Sequence, residues 1–313
     1  MLEPILDRMA VKPTVPLAIE GNPGQGKTAI IENYAEVHGL PMVKLLASTL
    51  DETDVAGIII HNKEANTADT ISPKWYQALK PDNGHNGRGI LLLDEFNTAR
   101  KEVMDTMLTL VHSRHLPNGD TLGDGVMIIA AMNEAKQCDN YEMSPAMRTR
   151  FMWSKHNMKP REWHRWLMGK SPGRRNTGVL PGYVTFKEWL NWFHADNSHD
   201  ADKKALINES LKLGLKFDTG QDIVDKQLPT TARGLTNLLY WSSDAADMCR
   251  IAGAFVDTVT VTLLQSIKVE AYQNAGNELF KQRAKKEGSV EEQVKIQQSA
   301  AIHQKIQAAV SKP

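Results

Sequence analysis

Short apolar segments alternate with amphipathic segments through the first half of the chain. Four largely apolar segments read as strands, and the last two are apolar enough for strands that are buried on both faces of a parallel sheet. The four segments are residues 15–19 (VPLAI), 41–47 (PMVKLLA), 89–94 (GILLLD) and 126–132 (VMIIAAM). Residues 27–37 and 101–112 carry apolar side chains at helical spacing. This alternation predicts a doubly wound, parallel α/β domain, to which we assign residues 1–158.

Two further segments of that domain carry turn signals. Residues 57–71 (GIIIHNKEANTADTI) have two β-prone arms around a polar middle, which predicts a β-hairpin. Asn118-Gly119 marks a second turn, just before the apolar run that begins at Val126.

The pattern of apolar and polar residues changes at residue 159. Amphipathic segments continue without the apolar runs that are typical of strands, and Trp163 and Leu167 recur at helical spacing. Tryptophans at such spacing belong to a core more often than to a ligand site. We therefore expect a smaller all-α lid domain over residues 159–265 and a C-terminal helical extension over residues 266–313.

Composition narrows the class of protein. The chain has 313 residues, 41% of them hydrophobic, so it can bury a sizeable core. Its 37 basic and 37 acidic side chains balance, so no global field attracts it to nucleic acid or to anionic membranes. Cys138 and Cys249 are too few for a disulfide framework, although a single pair stays open. No run of about 18 apolar residues occurs, so we expect a cytoplasmic protein without membrane insertion.

The stretch GNPGQGKT follows the first predicted strand and precedes the first amphipathic segment. It fits the pattern G-x-x-x-x-G-K-[ST], in which backbone N–H groups and a helix N-terminus cradle phosphates. In such a loop Lys27 reaches the terminal phosphates and Thr28 holds Mg²⁺. The predicted nucleotide-binding residues are Gly21, Asn22, Pro23, Gly24, Gln25, Gly26, Lys27 and Thr28.

Polar side chains also follow two other predicted strands. Asp94 and Glu95 end the GILLLD strand, at the sheet edge where ligands of parallel sheets bind. Beside a phosphate loop, Asp94 can hold Mg²⁺ and Glu95 can orient and deprotonate the attacking water. The plainer alternative is that the pair only stabilises the next helix N-terminus. Asn133 follows the next strand, where its amide could bond water or phosphate, although such an asparagine is often a turn residue.

These motifs occur in a recognisable order. The run ILLLDEFNTARKEVMDTMLTLV, the turn LPNGD, the strand VMIIAAMNEA and the segment MSPAMRTRF together resemble the MoxR branch of the AAA+ ATPases, which are ring-forming molecular machines. The resemblance covers roughly residues 10–245. It implies a Walker A loop at residues 21–28, a Walker B pair at Asp94 and Glu95, and a sensor 1 residue at Asn133.

The resemblance also implies three functional arginines. Arg150 falls where relatives place the arginine that reaches a neighbouring subunit's nucleotide, and Arg148 competes for that role. Arg233, in LPTTARGLTNLL, matches the sensor 2 position. Guanidinium groups suit these roles because they stabilise charge on a transferring phosphoryl group. Each arginine could instead form an ordinary surface ion pair. The chain departs from the usual DEINRA pattern at Thr98, which replaces an arginine.

The resemblance implies an ATPase that uses ATP and Mg²⁺, assembles as a ring, expected to be a hexamer, and remodels a protein or protein complex like a chaperone. A protein client or a partner with a von Willebrand factor A domain is implied as well. In relatives, hairpins equivalent to residues 57–71 and 113–124 face the pore or the client.

Other functions stay open. Related rings move nucleic acid or serve as restriction-type NTPase subunits, but the 57–71 hairpin offers only Lys63 and His61 against Glu64 and Asp69. A nucleic-acid motor is therefore possible but not favoured. A GTPase switch needs N-K-x-D, which the sequence NKEA at residues 62–65 lacks. A scaffold without turnover is disfavoured because the lysine and both carboxylates of the motifs are intact.

Overall fold

The computed structural model describes residues 2–64, 66–116, 118–134, 143–168, 188–190, 193, 201–218, 223 and 225–267. The chain divides into two compact units. The first consists of Met1–Met158 with Thr219–Gln227, and the second of Lys159–Asp218 with Leu228–Pro313. Most of the predicted C-terminal extension lies outside the described residues, as does Cys138.

A five-stranded parallel sheet organises the first unit. Its strands are β1 (Leu17–Glu20), β2 (Met42–Leu46), β5 (Arg88–Asp94), β6 (Gly125–Met132) and β7 (Met152–Lys155), in the spatial order β2-β5-β6-β1-β7. The chain runs outward from β1 to the β2 edge and returns through β5 and β6 before it crosses to β7. The carboxyl ends of β5, β6 and β1 therefore lie side by side.

Residues 89–93 of β5 and 126–132 of β6 are apolar because both faces of these strands are buried. Leu91 and Leu93 of β5 enter one hydrophobic core, whereas Ile90 and Leu92 enter the other. Strand β6 alternates in the same way between the two cores. The doubly wound α/β architecture predicted from the sequence is confirmed.

Helices cover both faces of this sheet. In the first unit they are α1 (Glu3–Val11), α2 (Lys27–Val37), α3 (Glu52–Ala56), α4 (Lys101–Ser113) and α5 (Pro145–Arg148). Helix α4 contributes Val103 and Met107 to one core, while α1 and α2 contribute Leu6 and Ile31 to the other. Short 3₁₀ helices span Ala47–Thr49, Lys74–Ala78 and Phe96–Thr98.

The predicted hairpin is confirmed as an antiparallel pair of strands, β3 (Ile58–Asn62) and β4 (Thr67–Ile71). It begins at Gly57, where φ is 94° and a Cβ would lie 2.2 Å from the Ile71 carbonyl oxygen. Only glycine fits this position without strain. Ile59 is 72% exposed, and Ile58 and Ile71, which are paired across the hairpin, are exposed as well.

The 113–124 segment is less regular than the hairpin that the resemblance implies. An isolated bridge joins His115 to Thr121, and Leu116 N–H donates to the Asp120 carbonyl at 2.8 Å. The Arg114 guanidinium donates to three backbone carbonyls, those of Pro13, Gly123 and Val126. Its bonds therefore hold this turn against the start of β6 and the segment before β1.

Described residues of the second unit form helices and no strand. The helices are α6 (Pro160–Leu167), α7 (Ala201–Lys212), α8 (Ala232–Trp241), α9 (Ala245–Ile251) and α10 (Thr258–Ser266). Trp163 is 1% exposed and donates from Nε1 to Thr236 Oγ1 at 2.9 Å, which confirms its predicted place in a core. The buried Lys203 ammonium donates to the Leu239 and Ser242 carbonyls and so caps the C-terminus of α8.

In the described ranges, none of the helices combines the length and the apolar character that crossing a membrane requires.

Candidate nucleotide-binding site

Residues 21–26 form the loop between β1 and α2, as the GNPGQGKT motif predicts. Gly24 and Gly26 have φ values of 71° and 81°, which L side chains rarely adopt. A Cβ on Gly21 would lie 1.9 Å from the His156 carbonyl oxygen, so only glycine fits there too. Helix α2 then begins at Lys27, which leaves its first N–H groups without intrahelical partners at the end of the loop.

Lys27 is held inside this loop. Its ammonium donates to the carbonyls of Gly21 and Asn22 at 2.8 and 2.9 Å and to Asn133 Oδ1 at 3.0 Å. The residue is 8% exposed. A cation that is desolvated this far attracts an anion strongly, and its three acceptors keep it paired until an anion arrives.

Thr28 and Asp94 meet where β5 ends. The Thr28 hydroxyl lies 3.0 and 3.2 Å from the two carboxylate oxygens of Asp94. A hydroxyl and a carboxylate are oxygen ligands of the kind that Mg²⁺ takes, alongside water and substrate phosphates. The described residues contain no group of three or more His, Cys, Asp or Glu placed to hold a metal. Because both are oxygen donors within 3.2 Å of each other, Thr28 and Asp94 fit a Mg²⁺ whose coordination phosphate oxygens and water would complete.

Glu95 follows Asp94 in a strained conformation. Its φ is 53°, in the left-handed region, and the Thr98 hydroxyl donates to the Glu95 carbonyl at 2.7 Å. Thr98 thus closes this turn. The Glu95 side chain is exposed and accepts a hydrogen bond from Ser48 Oγ at 3.1 Å. Backbone strain of this kind concentrates at functional sites and aims a side chain.

Ser48 lies in the 3₁₀ helix that follows β2, and sequence reasoning missed it. We expect Ser48→Ala to reduce the nucleotide hydrolysis rate about fivefold, the effect of losing one hydrogen bond of about 1 kcal/mol that positions Glu95. Nucleotide affinity should not change. Steady-state kinetics with a separate binding titration checks both. Thr49→Ala is the matched control, since the Thr49 hydroxyl bonds the Leu46 carbonyl rather than Glu95. An unchanged rate for Ser48→Ala would contradict the role.

Asn133 lies directly beyond β6. It contacts Lys27 of the phosphate loop and also Asn97, which lies two residues beyond Glu95. Its side-chain oxygen accepts from Lys27, and its backbone is bonded by the buried side chain of Asn97. The Asn97 amide donates to the Asn133 carbonyl at 2.8 Å and accepts from the Asn133 N–H at 3.4 Å. Asn97 lies close to Asp94 and Glu95 in the sequence, but its contact with Asn133 spans 36 residues and was not predicted.

Three residues after β7 contact the loop from the other side, and sequence reasoning missed these as well. His156 Nε2 lies 3.1 Å from the Gln25 carbonyl oxygen, and Asn157 Oδ1 accepts weakly from Asn22 N–H at 3.5 Å. The Met158 methyl group would lie 2.9 Å from a Cβ on Gly26. These contacts enclose the loop within the first unit.

Gln25 is 1% exposed, and neither polar atom of its side chain has a hydrogen-bond partner within the described structure. An unsatisfied buried amide is costly and calls for a functional explanation, such as a group that arrives with a ligand or water.

The two candidate trans-acting arginines differ in their surroundings. Arg148 is exposed, with its guanidinium carbon 5.7 Å from the centre of the Trp153 ring, and Trp153 Nε1 donates to the Arg148 carbonyl at 2.9 Å. Arg150, two residues beyond α5, donates to the Ala146 carbonyl of that helix, and its Nε is buried without a partner among the described residues. Arg148 is therefore the more accessible guanidinium in this conformation.

Arg233 belongs to the second unit. It is the second residue of α8, which begins where Thr231 Oγ1 accepts from Gly234 N–H at 3.0 Å. Its predicted role as sensor 2 stays a prediction, as do the catalytic roles of the other site residues.

Comparison with known proteins identifies the segment that carries this site. Residues 16–151 match a family model described as AAA domain, dynein-related subfamily. They form an AAA domain. The AAA domain contains the phosphate loop, Asp94, Glu95, Asn133 and both candidate trans-acting arginines. The narrower assignment to the MoxR branch stays a prediction.

Individual relatives are distant. A protein of Thauera aromatica named as a candidate chaperone, BssE, is 24% identical over 175 residues, which cover 54% of this chain and 59% of that protein. The match thus spans less than two thirds of that relative. RuvB of Thermotoga maritima is 14% identical, with a TM-score of 0.45 over 86% of this chain and 70% of RuvB. A candidate ATPase of Cytophaga hutchinsonii is 15% identical, with a TM-score of 0.39 over 88% and 89% of the two chains.

Proposed function

We propose that this protein is a Mg²⁺-dependent ATPase that assembles as a ring, expected to be a hexamer, and remodels a protein or protein complex. The observation that carries the proposal is the convergence of Lys27, Thr28, Asp94 and Asn133 at the carboxyl edge of the sheet. Two contacts define it: Lys27 Nζ to Asn133 Oδ1 at 3.0 Å, and Thr28 Oγ1 to Asp94 Oδ2 at 3.0 Å. These are the groups that phosphoryl transfer needs for positioning and charge stabilisation.

In the proposed reaction, water attacks the terminal phosphorus of ATP. Its oxygen forms a new P–O bond while the bond to the bridging oxygen breaks, which yields ADP and phosphate. The Glu95 carboxylate orients the water and takes up its proton. The Lys27 ammonium and the Asn133 amide stabilise negative charge on the transferring group. Thr28 and Asp94 would hold Mg²⁺, which supplies further positive charge to the phosphates when bound.

The remodelling part of the proposal has two supports. One is the candidate-chaperone name of the Thauera aromatica relative. The other is the hairpin of β3 and β4, whose exposed isoleucines suit contact with apolar segments of a protein client. A nucleic-acid motor would need a basic hairpin to contact phosphates, and this hairpin offers only Lys63 and His61. A von Willebrand factor A domain protein is the partner that we propose to test first, in a cytoplasmic setting.

The experiment that tests the ring is ATP hydrolysis per subunit as a function of protein concentration. We expect specific activity to rise with concentration, because an arginine from one subunit completes the site of the next. Replacing the arginine that acts in trans, Arg148 or Arg150, by alanine should lower the hydrolysis rate about a thousandfold and leave nucleotide affinity intact. Arg8→Ala, on the exposed side of α1, is the control.

A flat activity per subunit, with both Arg148→Ala and Arg150→Ala silent, would overturn the ring. Salt-sensitive binding of DNA by the wild type would instead favour the nucleic-acid motor.

A further inference from the structure

The buried amide of Asn97 joins the turn that carries Glu95 to the residue that contacts Lys27. Asn97 is two residues beyond Glu95, in the 3₁₀ helix Phe96–Thr98, and is 7% exposed. Its Nδ2 donates to the Asn133 carbonyl at 2.8 Å and its Oδ1 accepts from the Asn133 N–H at 3.4 Å. One side chain thus pairs with both polar groups of the Asn133 backbone.

This pairing fixes a residue that would otherwise be free to turn. Strand β6 ends at Met132, so the sheet ladder no longer holds the Asn133 backbone. The Asn133 side chain presents Oδ1 to the Lys27 ammonium at 3.0 Å, which assigns the orientation of its amide. With the oxygen facing the cation, the amino group is the half of the amide that can donate to a phosphate oxygen.

We infer that Asn97 is a positioning residue, which holds the Asn133 amide in the orientation needed for hydrolysis. This inference rests on the proposed ATPase function and gives a role to Asn97, which matches the asparagine of the DEINRA pattern but is not among the predicted site residues. Asn97 does not itself touch the nucleotide in this role. It acts through Asn133, and it also fixes the distance between the Glu95 turn and the end of β6. The buried Asn97 amide suits this task because both of its hydrogen bonds go to one residue, Asn133. Such restraint matters, since a small displacement at a reacting centre is costly in rate.

The test is a double-mutant cycle on ATP hydrolysis by the full chain. We expect Asn97→Ala to lower kcat about tenfold, less than the direct loss of a charge-stabilising donor, with nucleotide Kd changed by less than about threefold. In an Asn133→Ala background, Asn97→Ala should have no further effect on kcat, because the amide that it positions is gone. The control is Asn83→Ala, which removes an asparagine that bonds the Ala78 and Arg88 carbonyls away from the site.

The outcomes separate this inference from the proposed function. If the wild type hydrolyses ATP and Asn133→Ala slows it, but Asn97→Ala is silent or lowers kcat equally in both backgrounds, the positioning role is overturned and the ATPase stands. If the wild type does not hydrolyse ATP, both fail together. Should Asn97→Ala not fold, Asn97→Asp keeps the size of the side chain but replaces the donor to the Asn133 carbonyl by a carboxylate oxygen. It should lower kcat in the wild-type background and leave kcat of the Asn133→Ala protein unchanged.

Discussion

Lys27→Ala is expected to abolish nucleotide binding, with Kd raised at least about a hundredfold, because the substitution removes the charge-assisted hydrogen bonds of a buried ammonium to the phosphates. The ammonium lies within 3.0 Å of three oxygen acceptors around the loop. Its loss leaves these three oxygens without a cation, so their partial negative charges oppose the charge of an incoming triphosphate. Titration with a fluorescent ATP analogue, or calorimetry, measures the change.

The matched control is Lys44→Ala. Lys44 pairs with Glu32 at 2.8 Å, and both side chains are about half exposed. Such surface pairs contribute little to stability. This variant should bind nucleotide with a Kd within about twofold of the wild type. Thermal unfolding of both variants excludes a folding defect as the cause of lost binding. A Lys27→Ala protein that is folded and binds ATP normally would show that the loop does not hold phosphates as proposed.

The parallel sheet was predictable because strands that are buried on both faces are recognisable in a sequence as apolar runs. Strands β5 and β6 send successive side chains into opposite cores, so their buried positions are apolar on both faces. Polar residues that directly follow such strands must then gather at the carboxyl edge. The sequence therefore predicts that Asp94 and Asn133 lie at this edge beside the phosphate loop, where they contact Thr28 and Lys27.

Strand β7 was not predicted, and the reason is its place at the edge of the sheet. It has one neighbour, β1, and its Met152 and Trp153 are about 40% exposed. A short edge strand of this kind lacks the continuous apolar run that marks β5 and β6. Because β7 was missed, the contacts that His156 and Asn157 make with the loop were missed with it.

Ser48 and Asn97 illustrate a different limit of sequence reasoning. Each reaches a site residue across the fold, Ser48 to Glu95 over 47 positions and Asn97 to Asn133 over 36. A serine after a strand and an asparagine in a turn are common for local reasons. Only the order of the strands in space makes these two residues part of the site.

Glu95→Gln is expected to keep nucleotide binding while kcat falls about a hundredfold to a thousandfold, as loss of a general base does. The amide has the shape of the carboxylate but cannot take a proton from water at neutral pH. Glutamine can still accept from Ser48 Oγ, so the side chain should keep its direction. The contacts of Lys27 with the loop and the pairing of Thr28 with Asp94 do not involve Glu95. Binding should therefore survive the loss of turnover.

If the ring is the working form, ATP that cannot be hydrolysed should hold the Glu95→Gln protein in its assembled state. Sedimentation velocity in the presence of ATP should then show a larger, longer-lived species than for the wild type, which consumes the nucleotide. Glu52→Gln, an exposed glutamate at the start of α3, is the control for a neutralised charge. A Glu95→Gln protein with full turnover would remove Glu95 from the mechanism, and the base would then have to be sought among the other carboxylates near the loop. If turnover is lost without ATP-dependent assembly, Glu95 would remain the base, but ATP binding would not be what stabilises the ring. The two results can differ because a base acts within one subunit, whereas the proposed arginine acts between two.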